Sequence, residues 1–146
     1  MITMGRVKRP LGLVLAIIAL LGAVVGLTGC SGDSVRASSD YAGEPKGVEA
    51  PASSAGGASW ATWLQGGRQI GIVLYGSSTC PPRIQSIAVE SATVLKATLA
   101  PVSGGVCTTD FAPHTTVFTT PSKLSTASVI TVKLPDSTLS LPSLGG

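Results

Sequence analysis

Residues 68–78, RQIGIVLYGSS, carry the clearest structural signal in the chain. If the segment is extended, one face carries Ile70, Ile72 and Leu74 while the side chains between them lie on the other face. Alternation with period two, together with β-branched residues, is typical of a strand that buries one face. A turn-forming Gly-Ser-Ser follows directly. The segment therefore predicts a half-buried β-strand.

The same alternation or, at TTVFTT, another β-rich pattern recurs in five further segments. They are IQSIAVES at 84–91, TVLKATLA at 93–100, TTVFTT at 115–120, SVITVKL at 128–134 and STLSL at 137–141. Prolines fall between these segments, as expected for residues that cannot donate to a strand ladder. About seven short strands predict an all-β fold, either a small barrel or, as we favour, a small antiparallel β-sandwich. The architecture would be immunoglobulin-like without being a true immunoglobulin domain, because no Trp lies between Cys80 and Cys107.

The segment SWATWLQGG, at residues 59–67, is ambiguous. Trp60 and Trp63 would share one face of a helix but would lie on opposite faces of a strand. We predict a first strand in which Trp60 and Leu64 point inward, with both tryptophans serving packing rather than ligand binding.

The N-terminus has the pattern of an export signal. Arg6, Lys8 and Arg9 precede the uninterrupted run LGLVLAIIALLGAVVGL at 11–27, which has the order of the basic and apolar regions of a signal peptide. The run is short for a membrane span and slightly long for a signal, so a retained span is the alternative. We expect a signal-peptide helix over residues 1–29.

The apolar run ends in Leu27, Thr28, Gly29 and Cys30, and this LTGC sequence resembles the lipobox of bacterial lipoproteins. The resemblance implies that the Cys30 sulfur receives a diacylglyceryl group and that a signal peptidase cuts between Gly29 and Cys30. A cysteine thiolate is the strong nucleophile that such a transfer needs. Two acyl chains, palmitate among them, would hold the protein stably on the cell membrane. The expected location is therefore the cell membrane, facing outside the cytoplasm.

Residues 31–58 are rich in Ser, Gly, Ala and Pro and show neither helical nor strand periodicity. Such a segment buries too little apolar surface to offset the entropy of ordering, so we predict that residues 30–58 form the lipidated N-terminus and a flexible tether. The tether would reach about 30 Å. The predicted β-sandwich domain then covers residues 59–146.

Two of the three cysteines account for each other. Cys80 and Cys107 lie in a small exported domain, where a disulfide is the natural pairing, and this leaves Cys30 for lipid. The frame YGSSTCPP…CTTDFAP is similar to that of small uncharacterised lipoproteins of high-GC Gram-positive bacteria, and the resemblance covers roughly residues 70–121. That resemblance implies no particular activity.

The charge distribution argues against a nucleic-acid partner. The chain has a formal charge of +3, but three of its ten basic side chains precede the apolar run, so the remainder holds seven basic and seven acidic residues. No basic stripe with interleaved aromatic residues is found, as nucleic-acid binding would require. Apart from the membrane, the expected partner is an envelope protein or the cell wall, and we expect the domain to be monomeric.

Catalytic and metal sites find little support in the sequence. Ser77 or Ser78 with His114 and Asp110 would make a triad, but the serines lack the G-x-S-x-G frame, so we interpret His114 as a surface histidine in a proline-flanked loop. One histidine and two paired cysteines cannot supply a tetrahedral metal site. We therefore expect no metal, no cofactor and no enzymatic activity. A small extracytoplasmic hydrolase that uses His114 is the alternative.

The remaining hypothesis is a binding module. Arg83, Asp110, Phe111 and His114 lie near the predicted disulfide and could form a recognition edge. Because a small core needs its few aromatic residues, we expect the Phe111 ring to pack beneath its loop. The sequence thus predicts a membrane-anchored lipoprotein with a non-enzymatic binding or envelope-structural domain.

Overall fold

The computed structural model describes residues 33–102 and 105–145. The predicted signal peptide at 1–29 and the lipidation site at Cys30, with its cleavage position after Gly29, lie outside these ranges. Within them, no helix is both long enough and apolar enough to cross a membrane.

The described residues form nine strands and two short 3-10 helices. The strands are β1 (Ser34–Arg36), β2 (Ser39–Ala42), β3 (Trp60–Leu64), β4 (Gln69–Gly76), β5 (Ile84–Ser91), β6 (Val94–Leu99), β7 (Ala112–Thr119), β8 (Ile130–Lys133) and β9 (Thr138–Leu141). The 3-10 helices are Ala52–Ser54 and Gln65–Gly67. Positive φ angles at Gly66 and Gly67 close the β3–β4 turn, and glycine adopts this conformation readily.

Two sheets pack face to face, which confirms the predicted all-β sandwich. One sheet has the order β1-β5-β6-β8-β9 and the other β2-β7-β4-β3. All pairings are antiparallel except that of β6 with β8, which is parallel. The parallel pair arises because the chain leaves β6, runs back through β7 in the other sheet, and then enters β8 in the direction of β6.

The core lies between the sheets and consists of the alternating residues that the sequence indicated. Ile70, Ile72 and Leu74 of β4 pack there with the fully buried Phe118 of β7. The opposing sheet contributes the apolar side chains Ile84, Ile87, Leu95, Ala97, Ile130, Val132 and Leu141. Burial of this apolar surface is the main stabilising contribution to a fold of this kind.

The predicted tether is wrong for the described residues 33–58. Strand β1 pairs with β5 in one sheet, and β2 pairs with β7 in the other, so this part of the chain supplies an edge strand to each sheet. Residues 43–58 then cross the outer face of the second sheet; we call them the cover segment. The Thr115 hydroxyl donates to the Gly43 carbonyl at 2.6 Å, and both Pro45 and Ser54 are buried. The sandwich therefore begins before Ser59.

The cover segment explains the orientation of the tryptophans. β3 is a strand, as predicted, but the residues that meet the core are Ala61 and Trp63. Trp60 lies on the outer face beside its cross-strand partner Val73, and both side chains are almost fully buried. The expectation that Trp60 and Leu64 face the core is wrong, because an outer face that was assumed to meet solvent is covered instead.

Pro113 also differs from expectation, since it lies inside β7 rather than between strands. It is the second residue of the strand and pairs with Tyr75 of β4. Its carbonyl accepts a hydrogen bond from the Gly43 amide at 2.8 Å, so proline contributes to the ladder as an acceptor only.

Candidate functional site

The disulfide between Cys80 and Cys107 is present, as predicted, with the two Cα atoms 5.3 Å apart. It joins the loop after β4 to the loop before β7. We call the described parts of these two loops, residues 77–83, 100–102 and 105–111, the disulfide end of the sandwich. The described residues of these two loops belong to no helix or strand. The disulfide therefore fixes the position of one loop relative to the other.

Asp110 organises the polar side chains beside the disulfide. Its carboxylate accepts a hydrogen bond from the Ser78 amide at 3.0 Å and another from the Thr108 hydroxyl. The Thr108 amide in turn donates to the Thr79 hydroxyl oxygen at 3.0 Å, which closes the network across the two loops. The hydrogen bonds from Ser78 and Thr108 lower the pKa of Asp110 to about 2. Asp110 is therefore a permanently ionised structural acceptor at neutral pH.

Phe111 is exposed on this end, in contrast to the expected packing beneath its loop. Its side chain is 65% exposed. One face of the ring stacks on Tyr75, with the ring centroids 5.6 Å apart and the planes at 23°. Gly57 of the cover segment lies against the same ring, so closely that a Cβ at this position would be 2.5 Å from Phe111 Cε1. The ring is thus held in place while most of its surface meets solvent.

Arg83 and His114 approach a common carboxylate, that of Asp40 on β2. Arg83 Nη1 lies 3.4 Å from Asp40 Oδ2, and His114 Nε2 lies 3.6 Å from the same oxygen. His114 is 8% exposed and sits in β7, so its interpretation as a surface loop histidine is wrong. No hydrogen-bond partner of its Nε2 atom is found among the described residues.

The predicted recognition edge is therefore two clusters rather than one. Arg83 and His114 meet at Asp40, whereas Asp110 and Phe111 belong to the disulfide loops. Sequence reasoning missed Asp40 because it lay in the segment predicted to be a tether. It also missed the hydrogen bond from Tyr75 of β4 to Glu44, because Glu44 lay in that same predicted tether. No local pattern marks these contacts.

A serine-histidine-aspartate arrangement is not found among the described residues. The hydroxyl of Ser77 bonds to Thr108 at 2.9 Å, and that of Ser78 approaches the same threonine rather than His114. Asp110 is engaged by Ser78 and Thr108 and does not orient the imidazole. Within residues 33–102 and 105–145 there is also no group of three His, Cys, Asp or Glu side chains that could hold a metal ion.

The grooves of the described surface are open. One of about 820 Å³ lies between the start of the cover segment and the outer face of the second sheet, lined by Tyr41, Glu44, Lys46, Val48, Leu64 and Val117 among others. Another, of about 520 Å³, runs past Arg36, Asp40 and Arg83. Such shallow surfaces suit contact with a macromolecule better than enclosure of a small substrate.

No protein-family model matches this chain, and neither does any curated protein or solved structure. Its function is therefore inferred from its own residues and their geometry.

Proposed function

We propose that this protein is a bacterial lipoprotein of the cell membrane, attached through lipid on Cys30, whose β-sandwich is a non-enzymatic binding or envelope-structural module outside the cytoplasm. The LTGC sequence directly after a basic and then apolar N-terminus supports the anchor. The Cys80–Cys107 disulfide supports an oxidising compartment, since such bonds persist mainly outside the cytoplasm.

The observation that carries the binding role is a set of exposed apolar side chains on the cross-linked loops. Val102, Val106 and Phe111 are 69%, 94% and 65% exposed, and all three belong to the disulfide end. The disulfide and the Asp110 network hold these loops, so ordering them on binding a partner would cost little conformational entropy. Aromatic and aliphatic side chains on a preorganised surface are typical anchors of protein interfaces.

The alternative, a small hydrolase that uses His114, has less support. The imidazole is buried in β7 and has a carboxylate, Asp40, 3.6 Å away, but no described serine hydroxyl contacts it. A histidine within hydrogen-bond reach of a nucleophile is the minimum for this chemistry. His114 is better explained as part of the Asp40–Arg83 cluster that joins β2 to the rest of the fold.

The experiment that tests the binding role is cosedimentation of the soluble chain from Asp33 with isolated cell walls and, separately, with membranes of the producing bacterium. We expect retention on one of these fractions, and a loss of retention in the double variant Val106→Ser/Phe111→Ser. Val129→Ser is the matched control, because Val129 is 58% exposed and precedes β8 beside the start of β6, at the end of the sandwich away from the Cys107 loop. Equal behaviour of all three proteins would contradict a binding role for these loops.

A further inference from the structure

The chain enters the fold very soon after the proposed lipid anchor. Asp33 is the first described residue, and its carbonyl accepts a hydrogen bond from the Val89 amide at 3.2 Å. Its carboxylate lies 2.8 Å from the Lys123 ammonium group. Strand β1 begins at Ser34, so only three residues separate it from Cys30. Fully extended, this connection spans at most about 14 Å.

Four turns lie at the same end of the sandwich as Asp33, and together they form what we call the anchor end: residues 65–68, 92–93, 120–128 and 142–145. The Thr120 amide donates to the Arg68 carbonyl at 3.0 Å, the Ser125 amide to that of Ala92 at 2.8 Å, and the Leu144 amide to that of Thr126 at 2.7 Å. Leu144 also packs against Gly67. Backbone hydrogen bonds therefore join these turns into one ordered surface.

The anchor end and the disulfide end lie at opposite ends of the sandwich. β4 runs from Gln69, beside the first of the four turns, to Gly76, just before the loop that holds Cys80. β7 runs the other way, from Ala112 after the Cys107 loop to Thr119. Each strand has eight residues, so the two ends are roughly 25 Å apart.

The charges of the anchor end suit a membrane surface. Its charged side chains are Arg68, Lys123 and Asp33. Lys123 and Asp33 pair with each other, so these side chains have a net charge of +1. Leu144 is 40% exposed on the same end. A positive net charge and an exposed leucine, with no unpaired side-chain carboxylate in the described residues of these turns, are compatible with anionic phospholipid headgroups, whereas the ionised Asp110 lies at the opposite end.

We propose that the anchor end rests on the phospholipid headgroups of the membrane and that the disulfide end points away from it. This inference depends on the proposed lipidation of Cys30. The connection is shorter than the sandwich itself, so the start of β1 stays within about 14 Å of the lipid anchor. The exposed loops are thereby presented about 25 Å or more above the headgroups, by a folded domain rather than by a flexible tether.

The test uses the full-length mature protein in vesicles of phosphatidylethanolamine and phosphatidylglycerol that contain a headgroup-labelled quencher. A fluorophore is attached through Ser122→Cys at the anchor end or through Ser137→Cys, in the turn before β9 at the other end. Both serines are exposed. A third protein carries Ser122→Cys and a flexible Gly-Ser insertion of about 20 residues between Gly32 and Asp33. The mass of the N-terminal peptide is measured on every sample.

We expect several-fold stronger quenching at position 122 than at 137, and loss of most of that quenching after the insertion. Equal quenching at the two positions in a lipidated protein overturns the orientation and leaves the lipid anchor standing. Quenching at 122 that the insertion does not change also overturns the proposal, because the short connection would not be its cause. An N-terminal peptide without lipid overturns both the anchor and the orientation.

Discussion

The Tyr75 hydroxyl on β4 donates a hydrogen bond to the Glu44 carboxylate, and this contact joins the cover segment to the centre of the second sheet. The same hydrogen bond, followed by burial, raises the pKa of Tyr75. The native state thus favours the protonated phenol, and this contribution to stability is present below the ordinary pKa of tyrosine and lost as the pH rises through the raised value. The cover segment is therefore an integral part of the domain.

A truncation tests whether the cover segment and its two strands belong to the fold. The chain Asp33–Gly146 should unfold cooperatively, whereas Ser59–Gly146 should lose at least about 3 kcal/mol of unfolding free energy, because Trp60 and Val73 become exposed. Denaturant titration followed by tryptophan fluorescence measures both. Equal stabilities would mean that residues 33–58 contribute nothing to the domain.

Substitutions at two neighbouring glycines distinguish the effect of backbone strain from that of a steric clash. Gly56 and Gly57 have φ angles of +82° and +86°, but only the Cβ of a residue at 57 would collide with Phe111. Gly56→Ala should destabilise by about 1 kcal/mol through strain alone. Gly57→Ala should cost about 1–3 kcal/mol more. Adding Phe111→Ala should recover most of that excess, and a failure to recover it would show that the ring is not the obstacle.

Asp110 should make stability depend on pH in the acid range. Its pKa is lowered to about 2 in the native state, so its contribution is present above the unfolded value of 3.8 and is lost as the pH falls towards 2. Between these pH values, the number of protons taken up on unfolding should be lower by up to about one in Asp110→Asn than in the wild-type chain. Asp136→Asn, which removes an exposed turn carboxylate outside this network, is the control. Equal slopes in all three proteins would contradict the Asp110 network.

The disulfide should stabilise the domain without being needed for its topology. Cys80→Ser/Cys107→Ser opens a bridge between positions 27 residues apart, which lowers the unfolding free energy by about 3.5 kcal/mol in the chain-entropy model. Chemical reduction of the native chain should reproduce the loss. A change well under 1 kcal/mol would mean that the loops are held by other contacts.

The inner faces of β4, β5, β6, β8 and β9 could be predicted from the sequence because their apolar residues alternate. The disulfide could be predicted because assigning Cys30 to lipid left Cys80 and Cys107 as a pair. Strands β1 and β2 could not be predicted from the sequence, because their only aliphatic residues are Val35 and Ala42. These strands are ordered by pairing with β5 and β7. Tertiary pairing here overrides weak local propensity.

The same reason separates the predicted site from the observed one. Asp110 and Phe111 lie close to Cys107 in sequence, so their place at the disulfide end followed from the bridge. The approach of His114 to Asp40 depends on the pairing of β2 with β7. When the partner of a side chain lies on an edge strand far away in sequence, the residues next to that side chain do not predict the contact.

Metabolic labelling with a fatty acid tests the membrane anchor most directly. The wild-type chain, expressed in a bacterium with a lipoprotein pathway, should incorporate the label, and its mature N-terminus should be Cys30 with a diacylglyceryl mass. Cys30→Ala should abolish the label, while Cys80→Ser/Cys107→Ser should retain it. A label that persists in Cys30→Ala, or a mature wild-type chain without lipid, would contradict the account.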